Sequence, residues 1–158
     1  MNKFALALVL FASGTAQAAD NLKFHGTLIA GPKCTIDNAQ TIDVNFNNVL
    51  IEKIDGSNYS QPVPYTITCD STYRDEAMSM TLTLSGTPVE FNNAAVATSV
   101  EGLGIELRQN NTPFTIGSNI TIQEASRPTL TAVPVKKSGA TLKEGGFEAW
   151  ATLQVDYQ

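Results

Sequence analysis

The chain is short of nearly everything an enzyme needs. Its 158 residues include one histidine, two cysteines and one tryptophan. A single histidine restricts any Ser–His–Asp arrangement to His25, which lies on the polar face of an N-terminal segment near a free end, where catalytic geometry has no rigid support. With His25 far in sequence from both Cys34 and Cys69, no cluster has metal-ligand spacing. Basic residues are also scarce, 10 against 15 acidic ones, so there is no electrostatic footprint for nucleic acid or an anionic membrane. Beyond the first 18 residues no apolar run approaches membrane-spanning length, and membrane insertion is not expected. "GLGIE" (102–106) lacks the third glycine and the following helix of a dinucleotide site. The carboxylates Asp75 and Glu76 adjoin, while Glu90, Glu101, Glu106, Glu124, Glu144 and Glu148 are scattered, and no spacing singles out an acid/base pair. Neither a cofactor nor a catalytic residue is expected.

What is present first concerns export. "MNKFALALVLFASGTAQA" joins one cation, Lys3, to an apolar run from Phe4 to Ala12 and a small-residue site, Ala16-Gln17-Ala18. That is the layout of a secretory signal peptide over residues 1–18, cut between Ala18 and Ala19. Removing Lys3 leaves 9 basic residues against 15 acidic ones, a net charge of −6. In an oxidising compartment Cys34 and Cys69 allow one intramolecular disulfide, worth about 4 kcal/mol for a loop of this length.

Helical periodicity is missing as well. Short alternating runs rich in Thr, Val and Ile are separated by turn clusters, which points to an all-β sandwich or small barrel. Strands are expected over 22–30, 33–37, 41–46, 63–69, 78–85, 103–108, 114–116, 120–122, 129–136 and 147–157. Turns are expected at "DGSN" (55–58), "FNNAA" (91–95), "QNNTP" (109–113) and "KKSGA" (136–140), and 92–101 reads as a surface loop. Pro62 and Pro64, flanking Val63, would cap the entry to a strand or hold an edge, because proline donates nothing to a ladder. The final run, "GGFEAWATLQVDYQ", sets Phe147, Ala149, Ala151, Leu153, Val155 and Tyr157 on one face. Trp150 lies on the other face, where exposure would make it a stacking platform. The sequons "NYS", "NNT" and "NIT" are assigned no role.

The segment "NLKFHGTLIAGPKC" (21–34) alternates from Leu22 through Phe24, Gly26 and Leu28 to Ala30, a strand with one apolar face at the start of the mature chain. Together with "PYTITC" and the terminal "GGFEAWATLQVDYQ", it resembles the pilin subunits of the chaperone–usher pathway, of the type 1 and P-pilus kind, minor or major. The resemblance spans the whole mature chain and is loosest from Ser85 to Leu130. Gly145 and Tyr157 match the family's glycine near the fourteenth place from the C-terminus and its penultimate tyrosine. Gly26 matches the glycine of its N-terminal extension, and Cys34 and Cys69 match its disulfide.

The resemblance implies an incomplete immunoglobulin-like sandwich, with six strands and the seventh missing. Residues 19–32 would be a donor-strand extension and 33–158 the pilin domain. Leu22, Phe24, Gly26, Leu28 and Ala30 would be donated to a neighbour. Gly145, Phe147, Ala149, Ala151, Leu153, Val155 and Tyr157 would border the acceptor groove, which a periplasmic chaperone fills first. The implied partners are that chaperone, an outer-membrane usher and neighbouring pilin subunits. The implied location is a surface fimbrium reached through the periplasm. A self-complete periplasmic or secreted sandwich that binds carbohydrate or another small ligand is the alternative, and an exported hydrolase a third reading.

Overall fold

The computed structural model describes residues 22–70 and 79–157. The leader 1–18, its cleavage site, Met78 and the adjoining Asp75 and Glu76 lie outside the described residues. Eleven short strands are described: β1 (Cys34–Ile36), β2 (Gln61–Val63), β3 (Ile67–Cys69), β4 (Ser79–Gly86), β5 (Pro88–Val89), β6 (Asn92–Ala97), β7 (Leu103–Gln109), β8 (Thr112–Pro113), β9 (Asn119–Gln123), β10 (Leu130–Lys136) and β11 (Ala151–Tyr157). One layer is the larger sheet, ordered β2-β10-β7-β6-β5 with β8 paired to β7. Facing it are the three-stranded sheet β11-β4-β9 and the pair β1-β3. All eight pairings among the described strands are antiparallel.

Alternation builds the core. Met80, Leu82 and Leu84 of β4 are fully buried, as alternate positions on one face of a strand should be. They meet Val96, Leu107, Phe114, Ile122, Leu130 and Val155, which closes a two-layer sandwich. The Cys34–Cys69 disulfide staples β1 to β3, whose register sets the two cysteines opposite each other. Beside it Tyr65 is buried and its hydroxyl donates to the Pro128 carbonyl at 2.7 Å. Burial pushes the Tyr65 phenol up to about 12, against the opposing effect of the nearby Arg127 charge. The one buried charged side chain among the described residues, Glu106, is satisfied on both oxygens: Arg108 Nε donates to Oε1 at 2.6 Å and Asn92 Nδ2 to Oε2. Arg108 also donates to the Gly56 carbonyl at 2.8 Å, tying the 55–58 turn to the sheet.

Several expected turns form by the expected chemistry. Asn110 and Asn111, with φ of 46° and 64°, make the two-residue hairpin between β7 and β8. The Asp55 carboxylate accepts from the Asn58 and Ser57 backbone N–H groups, which hold its carboxyl below the usual range. Pro62 sits on β2, an edge strand, as its missing donor requires.

Other expectations are corrected. The expected loop over 92–101 is mostly a strand: Asn92–Ala97 is β6, paired to β7, with Ala94, Ala95 and Val96 buried. Asn and Ala are poor strand formers, and tertiary pairing overrides that preference. The expected 63–69 run splits into β2 and β3 around the Pro64 break. In place of a strand over 114–116, β8 covers Thr112–Pro113 and Phe114 plugs the core. The terminal strand begins at Ala151, four residues later than expected, although the alternation of half-buried Phe147 and Ala149 with exposed Glu148 and Trp150 continues upstream of it. Residues 22–30 and 41–46 form no ladder, for a reason that concerns the site.

Candidate functional site

After Ile36 the chain turns through Asp37, Asn38 and Ala39 with φ of 48°, 52° and 61°. Three successive left-handed residues are rare for L-amino acids. Here they are anchored: Asp37 N–H donates to the Thr66 carbonyl at 2.9 Å, and Thr66 Oγ1 donates to Asp37 Oδ1 at 3.2 Å. The turn peels the chain away from β3. Beyond it, Ile42, Val44 and Phe46 alternate half-buried with exposed Thr41, Asp43 and Asn45. This is the side-chain period of a strand, but the segment belongs to no sheet. The periodicity in the sequence was real. What 41–46 lacks, among the described residues, is a ladder partner.

Across from it runs β11, which pairs with β4 on one side and, among the described residues, has no hydrogen-bonded strand on the other. Between these two lips lies an open groove of about 1480 Å³. Its floor is apolar: Val63, Val96, Ile105, Leu107 and Ala132, contributed by the opposite sheet. Phe46 and Phe147 meet across one end with ring centroids 6.0 Å apart. At that end a second small cluster, Ile54, Leu103 and Leu142, packs with Val49, Ile51 and Phe147. At the other end Cys34 Sγ lies 4.0 Å from Met80 Sδ, and Met80 is the ladder partner of Tyr157.

Of the residues expected at the acceptor face, Gly145, Phe147, Ala149, Ala151, Leu153 and Val155 line the groove. Gly145 has φ +146°, a conformation side chains rarely adopt, and stands in open space. Tyr157 is not a lining residue: it packs against the main core, and its hydroxyl donates to Glu124 Oε2 at 3.3 Å. Sequence reasoning missed the opposite lip as part of the site, although the Ile42/Val44/Phe46 alternation carried the signal.

The N-terminal segment does not fill this space. Residues 22–30 are all exposed, with Phe24 at 86% and Leu28 fully so, and the position of Gly26 has nothing within 4 Å. Thus Leu22–Ala30 does not close its own domain as a first strand. His25 is exposed on the same segment and does not line the groove. Among the described residues no group of His, Cys, Asp and Glu could hold a metal, and no helix is long and apolar enough to cross a membrane.

An exposed alternating arm, a cored-out groove and a disulfide at the first strand are features to set against known proteins. The family model described as "Fimbrial protein" matches residues 22–158. The chain belongs to the fimbrial protein family. It is 44% identical over 162 residues to the uncharacterized fimbrial-like protein YfcQ of Escherichia coli, with both chains fully covered. It is 28% identical over 170 residues to the fimbrial adapter PapF of Escherichia coli, covering 99% of each. Among solved structures, the P pilus adaptor subunit PapF superposes with a TM-score of 0.56 at 28% identity, over 80% of this chain and 97% of that one. The P pilus rod subunit PapA superposes with a TM-score of 0.63 at 20% identity, over 79% of this chain and 99% of that one, which speaks for the shared fold. This fimbrial protein is therefore a structural pilus subunit with an immunoglobulin-like β-sandwich, and its relatives are pilus subunits, not enzymes. Membership of the family implies association with other pilin subunits in a surface fimbrium.

Proposed function

We propose that this subunit polymerises by donor-strand exchange, its groove accepting the N-terminal extension of a neighbouring subunit while its own residues 22–30 enter the next. The observation that carries this reading is the double lip. β11, laddered to β4 on one side only among the described residues, and the 41–46 segment, which joins none of the described sheets, flank an apolar floor. One inserted strand satisfies both lips by its backbone and the floor by alternate side chains. Leu22, Phe24 and Leu28 are the anchors, each adding about 1.5–3 kcal/mol gross when fully buried. Gly26 lets the backbone approach where the floor stands high, and Ala149 and Ala151 leave room along β11. A strand passed head to tail yields an open filament.

An unfilled groove of this kind is an aggregation hazard, because it joins unpaired backbone to exposed apolar surface. A periplasmic chaperone fills it during export, and an outer-membrane usher is where the neighbour's extension replaces the chaperone. This requires cleavage after Ala18, with 19–32 serving as the extension and 33–158 as the acceptor domain. The test is to add a synthetic peptide of residues 19–30 to the subunit refolded without chaperone. A 1:1 complex with a raised melting temperature is expected. A stable, monomeric subunit that ignores the peptide would sink the reading.

A further inference from the structure

We propose that Leu50 and Trp150 form a docking rim for the globular domain of the donating subunit, so that successive domains touch beyond the exchanged strand. This rests on the donor-strand reading above. Within the described part of the domain, Leu50 and Trp150 are the large apolar side chains left exposed, at 58% and 71%. They are not scattered. Both border the groove, Leu50 beyond the 41–46 segment and Trp150 just before β11, and Trp150 also borders a hollow of about 400 Å³ with Thr87, Thr98 and Glu148.

Their position follows from the order of the lips. The contact of Cys34 with Met80 puts β1 at the Tyr157 end of the groove, and the Phe46–Phe147 contact puts the far part of the first lip at the opposite end. Leu50 lies between Val49 and Ile51, which pack in the cluster with Phe147, and Trp150 follows Phe147 by three residues. The rim is thus at the Phe147 end. Every pairing among the described strands is antiparallel, and a strand completing the sandwich beside β11 in the same manner runs antiparallel to it. Its last residue, Ala30, then emerges at the Phe147 end.

The tether leaves no slack there. In the donor only Gly31 separates Ala30 from Pro32, which is already buried in the donor's own domain. At roughly 3.5 Å per residue, that domain begins within about 7 Å of the groove mouth. One donor residue joins the patch as well. Ile29 is exposed and alternates with Leu28, so it faces away from the floor once Leu28 is inserted. Ile29 of the donor, Leu50 and Trp150 therefore gather at one junction, and the occupant is a second pilin domain.

Trp150 is the only tryptophan of the chain, which makes the proposal directly readable. Acrylamide quenching of its fluorescence is compared in the subunit filled by the 19–30 peptide, in the chaperone-bound subunit and in assembled fibres. The peptide fills the groove but brings no domain, so it should leave Trp150 accessible. In fibres quenching should fall about threefold with a blue shift, as for a ring moved from 71% exposure into an interface. Leu50→Ser should restore part of the quenching in fibres without changing peptide affinity. Equal quenching in fibre and peptide complex overturns the rim while leaving strand exchange intact. Protection confined to the chaperone-bound form overturns it by assigning the patch to the chaperone. Failure of the peptide to bind overturns the groove reading itself, and the rim with it.

Discussion

Phe24→Ala separates a residue that serves its own fold from one that serves another molecule. In the free subunit Phe24 is 86% exposed, so truncating it removes almost no native contact. Stability of the subunit with its groove filled by a wild-type 19–30 peptide should stay within about 0.5 kcal/mol of wild type. The same change made in the peptide should cost about 2–3 kcal/mol of binding, the transfer free energy of a buried aromatic side chain. That is a roughly 30- to 140-fold rise in the dissociation constant. Calorimetric titration of the two peptides, beside thermal melts of the two subunits, gives both numbers from one set of samples. The argument fails on the converse pattern: a Phe24→Ala subunit that melts several degrees lower although its groove is filled, with peptide affinity unaffected. Such a result would mean that Phe24 packs within its own domain.

Removing both cysteines as Cys34→Ala/Cys69→Ala reopens a loop of sequence separation 35 and should destabilise the filled subunit by about 4 kcal/mol, seen in urea unfolding as a lower midpoint. Glu106→Gln should cost roughly 1–3 kcal/mol, because Arg108 and Asn92 lose the carboxylate that faces them in a buried setting, and the melt would register it. Alkaline titration should show Tyr65 ionising above the ordinary phenol range. Its phenol is raised to about 12 from 10, so the unfolded chain releases that proton first. The contribution of Tyr65 to stability is therefore intact below pH 10 and declines towards pH 12. Tyr65→Phe should flatten that decline, and an unchanged pH profile would contradict the assignment. A further change, Val155→Asp, places a carboxylate on the groove wall next to buried Leu82 and should abolish peptide binding as read by gel filtration.

Side-chain rhythm carried a good deal of this in one dimension. The period of two in "MTLTL" and "ATLQVDY" determined which residues of β4 and β11 face inward, because successive side chains on any extended chain point to opposite sides. The Asn-Asn hairpin and the edge placement of Pro62 were equally local, set by backbone preference within two or three residues. Even Leu22, Phe24 and Leu28 declared an apolar face without any knowledge of where it would be buried. Hydrogen-bond partners were another matter, because pairing depends on what lies alongside in space. The same rhythm that made β4 a strand left 41–46 an unpaired lip, since a left-handed turn at Asp37–Ala39 had carried it away from β3. Asn92–Ala97, with poor strand propensity, became a buried strand because β7 lay beside it. Whether Leu22–Ala30 closes its own sandwich or is left free, and that the vacancy lies between 41–46 and β11, were decided only by the three-dimensional packing of strands far apart in the chain.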